Sequence, residues 1–286
     1  MTLVPMIDMR RTIAAVAACY ARHTPLEWGR WRAASLAEGL INHLDFEATV
    51  RTHFGQRMTL SVNDFVQRSI YCRGAWDEAI AEVIINRLRA RHVFVDAGAN
   101  VGFFTLLAST LVGPEGRVVA FEPHPVARAA LANNVNLNKM TNVTISGFAL
   151  SDSPTVMDLY FENEGGLGSS SLRQPPVEYR NGKVQVNVDT LDHQLAHLGI
   201  EKVDMIKIDI EGAELAALRG AAETLRGHPA VICEISGYNL ERMGDSEEGL
   251  MTLMRGHGYT CSAITPPRGS KFGPFQQYDA LFEHRQ

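Results

Sequence analysis

The chain has 286 residues, 45% of them apolar and 21% charged, with a formal net charge of −5. This is the composition of a soluble globular protein whose core needs no staple, and the length suits one large domain with an appendage. The mild acidity and the lack of a long basic run argue against a nucleic-acid partner, and no segment is apolar for long enough to insert stably in a membrane.

Near the N-terminus, Arg10 and Arg11 precede TIAAVAAC, which loosely mimics a short signal peptide. The apolar part barely reaches the length limit, and Asp8 stands where a basic leader belongs, so a helix lying on the main domain is expected. In TPLEWGRWRAASLAEGLINHL, Thr24 suits an N-cap, Pro25 the first helical position and Glu27 the third residue after the cap. Trp28, Trp31, Leu36, Leu40 and Leu44 can share one broad apolar face. Residues 1–56 are therefore expected to form a helical cap, and residues 57–286 the main domain. RMTLSVNDFVQRSIY, residues 57–71, alternates like strands with a turn at Asn63-Asp64, and GAWDEAIAEVIINRLRAR reads as an amphipathic helix.

From residue 93 strands and helices alternate. VFVDAG, RVVAFEP, NVTISGFAL, VDMIKIDI and PAVICEI read as strands, with helical patterns between most of them. Short apolar runs separated by helices predict an α/β fold with a parallel sheet covered on both faces. YTCSAI and YDALFEH offer a closing hairpin. An insertion of about residues 153–202 interrupts the rhythm, with strand-like TVMDLYFE and KVQVNVDTL around the loop GGLGSSSLRQPP. The cysteines, Cys19, Cys72, Cys233 and Cys261, are scattered and form no C-x-x-C pair, which fits reduced thiols in the cytoplasm.

VFVDAGANVGFF carries the sharpest local signal. A buried strand reaches Asp96, Gly98 and Gly102 allow a tight turn and close approach to a ligand, and a helix follows. The second strand ends in Glu122, which can accept hydrogen bonds from ribose hydroxyls. A dinucleotide fingerprint needs a second glycine where this chain has Asn100, and Asp96 would repel a phosphate. Acids at strand ends instead favour a cationic cofactor such as S-adenosylmethionine.

VDAGANVGFFT, FEPHPVARAALANNVNLN, NVTISGFALSD, VNVDTLD and MIKIDIEGAE occur in the order seen in FkbM-type S-adenosylmethionine-dependent methyltransferases, which the chain resembles over roughly residues 60–265. The resemblance implies a Rossmann-like class I methyltransferase fold, with a mostly parallel seven-stranded sheet and an antiparallel last strand. It sets the methionine part of the cofactor against Asp96, Gly98, Ala99 and Asn100. The ribose falls to Glu122 with Pro123 shaping the turn, and the adenine to Phe148 and Ala149, near Asp152. Asp209 falls at the methyl end. The acceptors it implies are hydroxyl groups of sugars, polyketides or other secondary metabolites, with carboxyl groups among some relatives.

Methyl transfer needs alignment, exclusion of water and, for a hydroxyl, a nearby base. The candidates at the ends of the fourth and fifth strands are Asp209, Glu211 and Glu234. His53, His124, His228 and His257 are placed less favourably. Mg²⁺ is compatible with the carboxylates, but no ligand spacing demands a metal. Glu214 is expected to complement a helix dipole, and Lys207 to neutralise an acid inside the sheet. A NAD-dependent oxidoreductase and a catalytically silent binding module are the alternative functions. The acceptor's identity and the oligomeric state are not legible.

Overall fold

The structure is a computed structural model that describes residues 9–24, 27–162, 166–172, 182–266, 268–269 and 276–284. The chain divides into two compact units, Met1–Trp76 and Asp77–Gln286.

The first unit contains α1 (Met9–His23), α2 (Glu27–Ile41), β1 (Glu47–Arg51), β2 (Arg57–Ser61) and α3 (Phe65–Arg73). Helix α1 buries Ala14, Ala18 and Ala21, and α2 buries Ala34, Ala37 and Ile41. Small residues let the two helices approach closely, so the expected large-residue face is not the buried one: Trp31 and Leu36 are exposed. Asp8, Pro25 and the side chain of Trp28 lie outside the described residues. Strands β1 and β2 pair antiparallel, with Glu47 opposite Ser61. The expected boundary after residue 56 therefore falls inside a hairpin, and the helical cap includes a strand.

Only the first part of residues 57–71 is strand. Asp64 is an N-cap whose side chain accepts from Gln67 N at 2.8 Å, and Gly74 closes α3 in the left-handed region at φ +81°. A capping aspartate and a turn aspartate look alike in sequence, and here the cap prevails.

The second unit opens with α4 (Glu78–Arg87) and the alternating series β3 (Val93–Ala97), α5 (Phe103–Val112), β4 (Arg117–Phe121), α6 (Pro125–Leu137) and β5 (Val143–Ser146). The short β6 (Ala149–Leu150) precedes the inserted strands β7 (Thr155–Glu162), β8 (Gly166–Ser171) and β9 (Gly182–Asp189). Then come α7 (Leu191–His197), β10 (Met205–Ile208), α8 (Glu214–Arg219), α9 (Ala222–Arg226) and β11 (Ala230–Ser236). The chain continues through α10 (Gly237–Met243), α11 (Glu247–Gly256), β12 (Tyr259–Ala263), the two-residue β13 (Arg268–Gly269) and β14 (Gln276–His284).

The main sheet has the order β12-β14-β11-β10-β3-β4-β5, with β13 added beside β14. Strands β5, β4, β3, β10 and β11 are parallel, and β14 is antiparallel to both β11 and β12. This is the expected seven-stranded arrangement, with its strands buried on both faces: Phe94, Val95, Ile206, Ile208, Val231 and Ile232 are essentially inaccessible. All five parallel strands end on the same edge, so their terminal residues converge there.

The insertion is a sheet of its own, ordered β6-β9-β7-β8. The strand expected over NVTISGFAL is thus two strands in different sheets. The break falls at Gly147, where a Cβ would lie 2.9 Å from the Arg128 guanidinium. Helix α7, inside the expected limits of the insertion, returns to the main core through Leu191 and Leu195.

Candidate active site

The loop after β3 is shaped by close backbone approach. Gly98 has φ +79°, and a Cβ there would lie 1.8 Å from the carbonyl oxygen of Asp209, so the loops after β3 and β10 touch through their main chains. Gly102 caps α5 at φ +95°, and its free space is taken by Leu131 of α6, 2.4 Å from an added Cβ. It therefore serves helix packing. Ala99 is buried beside these glycines, and Asn100 also lies in the left-handed region at φ +49°.

Glu122 follows β4 and ties this loop to the next. One carboxylate oxygen accepts from Asn100 N at 2.7 Å and the other from His124 N at 2.9 Å. Burial raises its pKa to about 7, against the pull of those two hydrogen bonds. Pro123 follows, and its carbonyl and that of Glu122 both accept from the Arg128 guanidinium. Phe148 is partly exposed, its N–H donating to Ser146 Oγ at 3.3 Å, whereas Ala149 is buried in β6. Asp152 is exposed.

His124 stands next to Pro123 and is buried beside Glu122. Its Nδ1 accepts from Ala127 N at the start of α6, and its ring meets Phe161 of β7 edge-on at 4.4 Å. Its Nε2 is buried with no protein partner, and so is Oδ1 of Asn100. Two orphaned polar atoms, one on each residue that holds Glu122, fit a ligand bearing both hydrogen-bond donors and acceptors, as a nucleoside does. His124 is the N-cap of α6, with Pro125 at the first helical position.

Asp96 is fully buried. Its Oδ2 accepts from Thr105 Oγ1 at 2.6 Å, and its Oδ1 lies 3.9 Å from Lys207 Nζ. Lys207, two residues before Asp209 and 2% exposed, donates to Asp209 Oδ2 at 3.1 Å and to Gly98 O at 3.4 Å. Its Nζ also stands 5.2 Å from the centre of the Phe104 ring. Burial lowers the Lys207 pKa, but Asp209 and Asp96 outweigh burial and raise it to about 12. Lys207 is thus the neutralising group expected from the sequence, and Asp96 reaches the site through it.

The remaining acids gather beyond β10. One carboxylate oxygen from each of Asp209, Glu211 and Glu234 lies within 4.8 Å of the others. Glu211 is not an extended strand residue; it sits at φ +54°, and its Oε2 accepts from Asn239 Nδ2 at 2.8 Å. Glu234, on β11, accepts from Gln277 Nε2 of β14 at 2.6 Å. Glu214 faces inward: its Oε1 accepts from Ile210 N and Gly212 N, fixing the turn that presents Asp209 and Glu211. Burial, then the charges of Asp209 and Glu214, raises the Glu211 pKa to about 8. Burial, then Asp209 and Glu211, raises Glu234 well above the usual carboxylate range. Glu214 is raised to about 7, chiefly by burial.

These raised values make stability depend on pH with a definite sign. Glu122, Glu211 and Glu214 keep protons in the folded state that the unfolded chain has already lost, so stability falls as pH rises from about 5 through about 8. A tenfold difference in proton affinity between folded and unfolded chain corresponds to about 1.4 kcal/mol. Raising the pH of the ligand-free protein from about 6 to 8.5 should cost up to about 5 kcal/mol, or ~10–20 °C in Tm. A Tm that is flat or rises over that range in a calorimetric scan would show that these carboxyls titrate normally.

A doubly covered parallel sheet with strand order reversing at β3, a glycine turn after that strand, an acid after β4 and acids after β10 define a class I methyltransferase. A model of the methyltransferase FkbM domain matches residues 96–261. The chain belongs to the FkbM methyltransferase family, whose reaction is S-adenosylmethionine-dependent methyl transfer to oxygen. It is 30% identical over 186 residues to methyltransferase sdnD of Sordaria araneosa, covering 56% of this chain and 69% of that one. It is 29% identical over 160 residues to the 2-O-methyltransferase NoeI of Sinorhizobium fredii, covering 52% and 65%. It is 28% identical over 212 residues to the 31-O-demethyl-FK506 methyltransferase FkbM of Streptomyces tacrolimicus, covering 63% and 77%.

Proposed function

We propose that the acceptor is a hydroxyl group on a sugar or another small secondary metabolite. The observation that carries this reading is the cluster of Asp209, Glu211 and Glu234 at the ends of β10 and β11, beside the turn after β3. S-adenosylmethionine supplies an already activated methyl carbon. The protein must hold it, align the hydroxyl and take its proton. Glu122 accepts the ribose hydroxyls, and the turn from Gly98 to Asn100 borders the methionine part. Asp209 stands at the methyl end. Glu211, with a pKa raised to about 8, is suited to take the acceptor's proton near neutral pH, because a base poised at the working pH transfers protons most efficiently. Glu234 shares that proton through the cluster.

The names of two relatives, a 2-O-methyltransferase and a 31-O-demethyl-FK506 methyltransferase, support an oxygen acceptor. Among the described residues no helix is long and apolar enough to cross a membrane, and all cysteines are unbridged, which supports work in the reducing cytoplasm. No nucleic acid enters this reading, and the carboxylates act without a metal. The test is transfer of labelled methyl from S-adenosylmethionine into panels of sugars, polyketides and other hydroxylated metabolites, with and without chelator. Label in a hydroxyl, unaffected by chelator, is the expected result. Label in carboxyl groups alone would overturn the acceptor class, and complete loss with chelator would move the acids from proton transfer to metal binding.

A further inference from the structure

Strand β9 ends at Asp189 and α7 begins under the N-cap Thr190, whose side chain accepts from His193 N at 3.1 Å. Asp189 is 4% exposed. Its carboxylate accepts from Thr190 N at 2.8 Å and from Gln194 Nε2 at 2.7 Å. The same carboxylate faces His193 Nδ1 at 2.8 and 2.9 Å.

These contacts fix the tautomers of two histidines. A carboxylate only accepts, so in the neutral ring His193 Nδ1 carries the proton and Nε2 the lone pair. His197 Nδ1 lies 2.9 Å from the His193 carbonyl, which also only accepts, so His197 likewise keeps its lone pair on Nε2. The two residues are four apart on α7 and share one face, with ring centres 4.2 Å apart. The His193 side chain is 54% exposed and His197 is exposed, so an ion can reach both. A histidine whose other ring nitrogen donates to a carboxylate or a carbonyl is oriented as metal ligands are.

We propose that His193 and His197 form a surface site for a borderline divalent cation of the Zn²⁺, Ni²⁺ or Cu²⁺ class, with Asp189 as the group that orients His193. Imidazole nitrogens suit these ions, whereas the acids beyond β10 offer only oxygen, which suits Mg²⁺. Both ligands come from one helix, so water completes the coordination. The site shares no residue with the acid cluster.

The test is calorimetric titration of Zn²⁺ into the full-length protein, alongside Tm with and without the ion. Wild type is expected to bind Zn²⁺ and to gain Tm from it. His193→Ala and His197→Ala should each abolish that binding and that gain, while Asp209→Asn and His228→Ala leave both unchanged. Asp189→Asn should weaken binding by about 10–100-fold. His197 is exposed, so its alanine variant keeps the fold and remains informative if the Asp189 variant does not fold. Equal Zn²⁺ binding by wild type and His197→Ala would overturn the proposal, as would binding lost only in Asp209→Asn.

Discussion

Asp209→Asn is expected to lower kcat at least about tenfold, by removing the charge that stands at the methyl end of the site. The substitution keeps the size of the side chain, and an amide oxygen can still accept from Lys207 Nζ, which lies 3.1 Å from Asp209 Oδ2. The fold should therefore survive, and the loss should reflect charge at the methyl end of the site. Tm and cofactor affinity measured beside kcat separate this from collapse of the turn. Glu211→Gln gives the comparison: a smaller loss there would leave Asp209 as the principal group. Near-normal turnover by Asp209→Asn would remove that residue from the active site.

Lys207→Met should destabilise the protein by about 3–5 kcal/mol, the cost of breaking a buried ion pair from one side. Lys207 is the cation between Asp96 and Asp209, with its side chain 3% and that of Asp96 1% exposed. Burial already raises the pKa of Asp96, and Lys207 is the chief influence holding it down. Without Lys207 that pKa rises further, so the folded protein takes up a proton there before the unfolded chain does. The loss should then shrink as the pH is lowered, which is the sign expected for a raised acid. The double variant Lys207→Met with Asp96→Asn should recover part of the stability at pH 8. Urea unfolding across pH checks both points. A loss under about 1 kcal/mol would mean that Asp96 is already protonated and the pair carries little.

The parallel core is legible in the sequence because its strands are covered on both faces and read as continuous apolar runs ending at Asp96, Glu122 and Asp209. Lys207 and Asp209 can be paired from strand alternation, since residues two apart share a face. Three features escape that logic. The contact between Gly98 and the Asp209 carbonyl is a tertiary approach between loops more than a hundred residues apart, and sequence shows only that a glycine is present. Glu214 stands in the first turn of a helix, where a dipole role is the ordinary reading, yet its side chain reaches back to two main-chain amides. The N-terminal helices defeat periodicity because alanines form the tight face and larger side chains point outward. Pairing of β6 with β9 joins Ala149 to Val188 across the whole insertion, a register no local pattern specifies.

The position of β14 bears on how the protein folds. Residues 276–284 lie between β11 and β12, both of which are synthesised earlier. Until residues 276–284 insert, β11 and β12 each keep an open strand edge. Unpaired edges of this kind recruit other chains. A folding chain is therefore most exposed to misassociation just before β14 inserts and closes this side of the sheet.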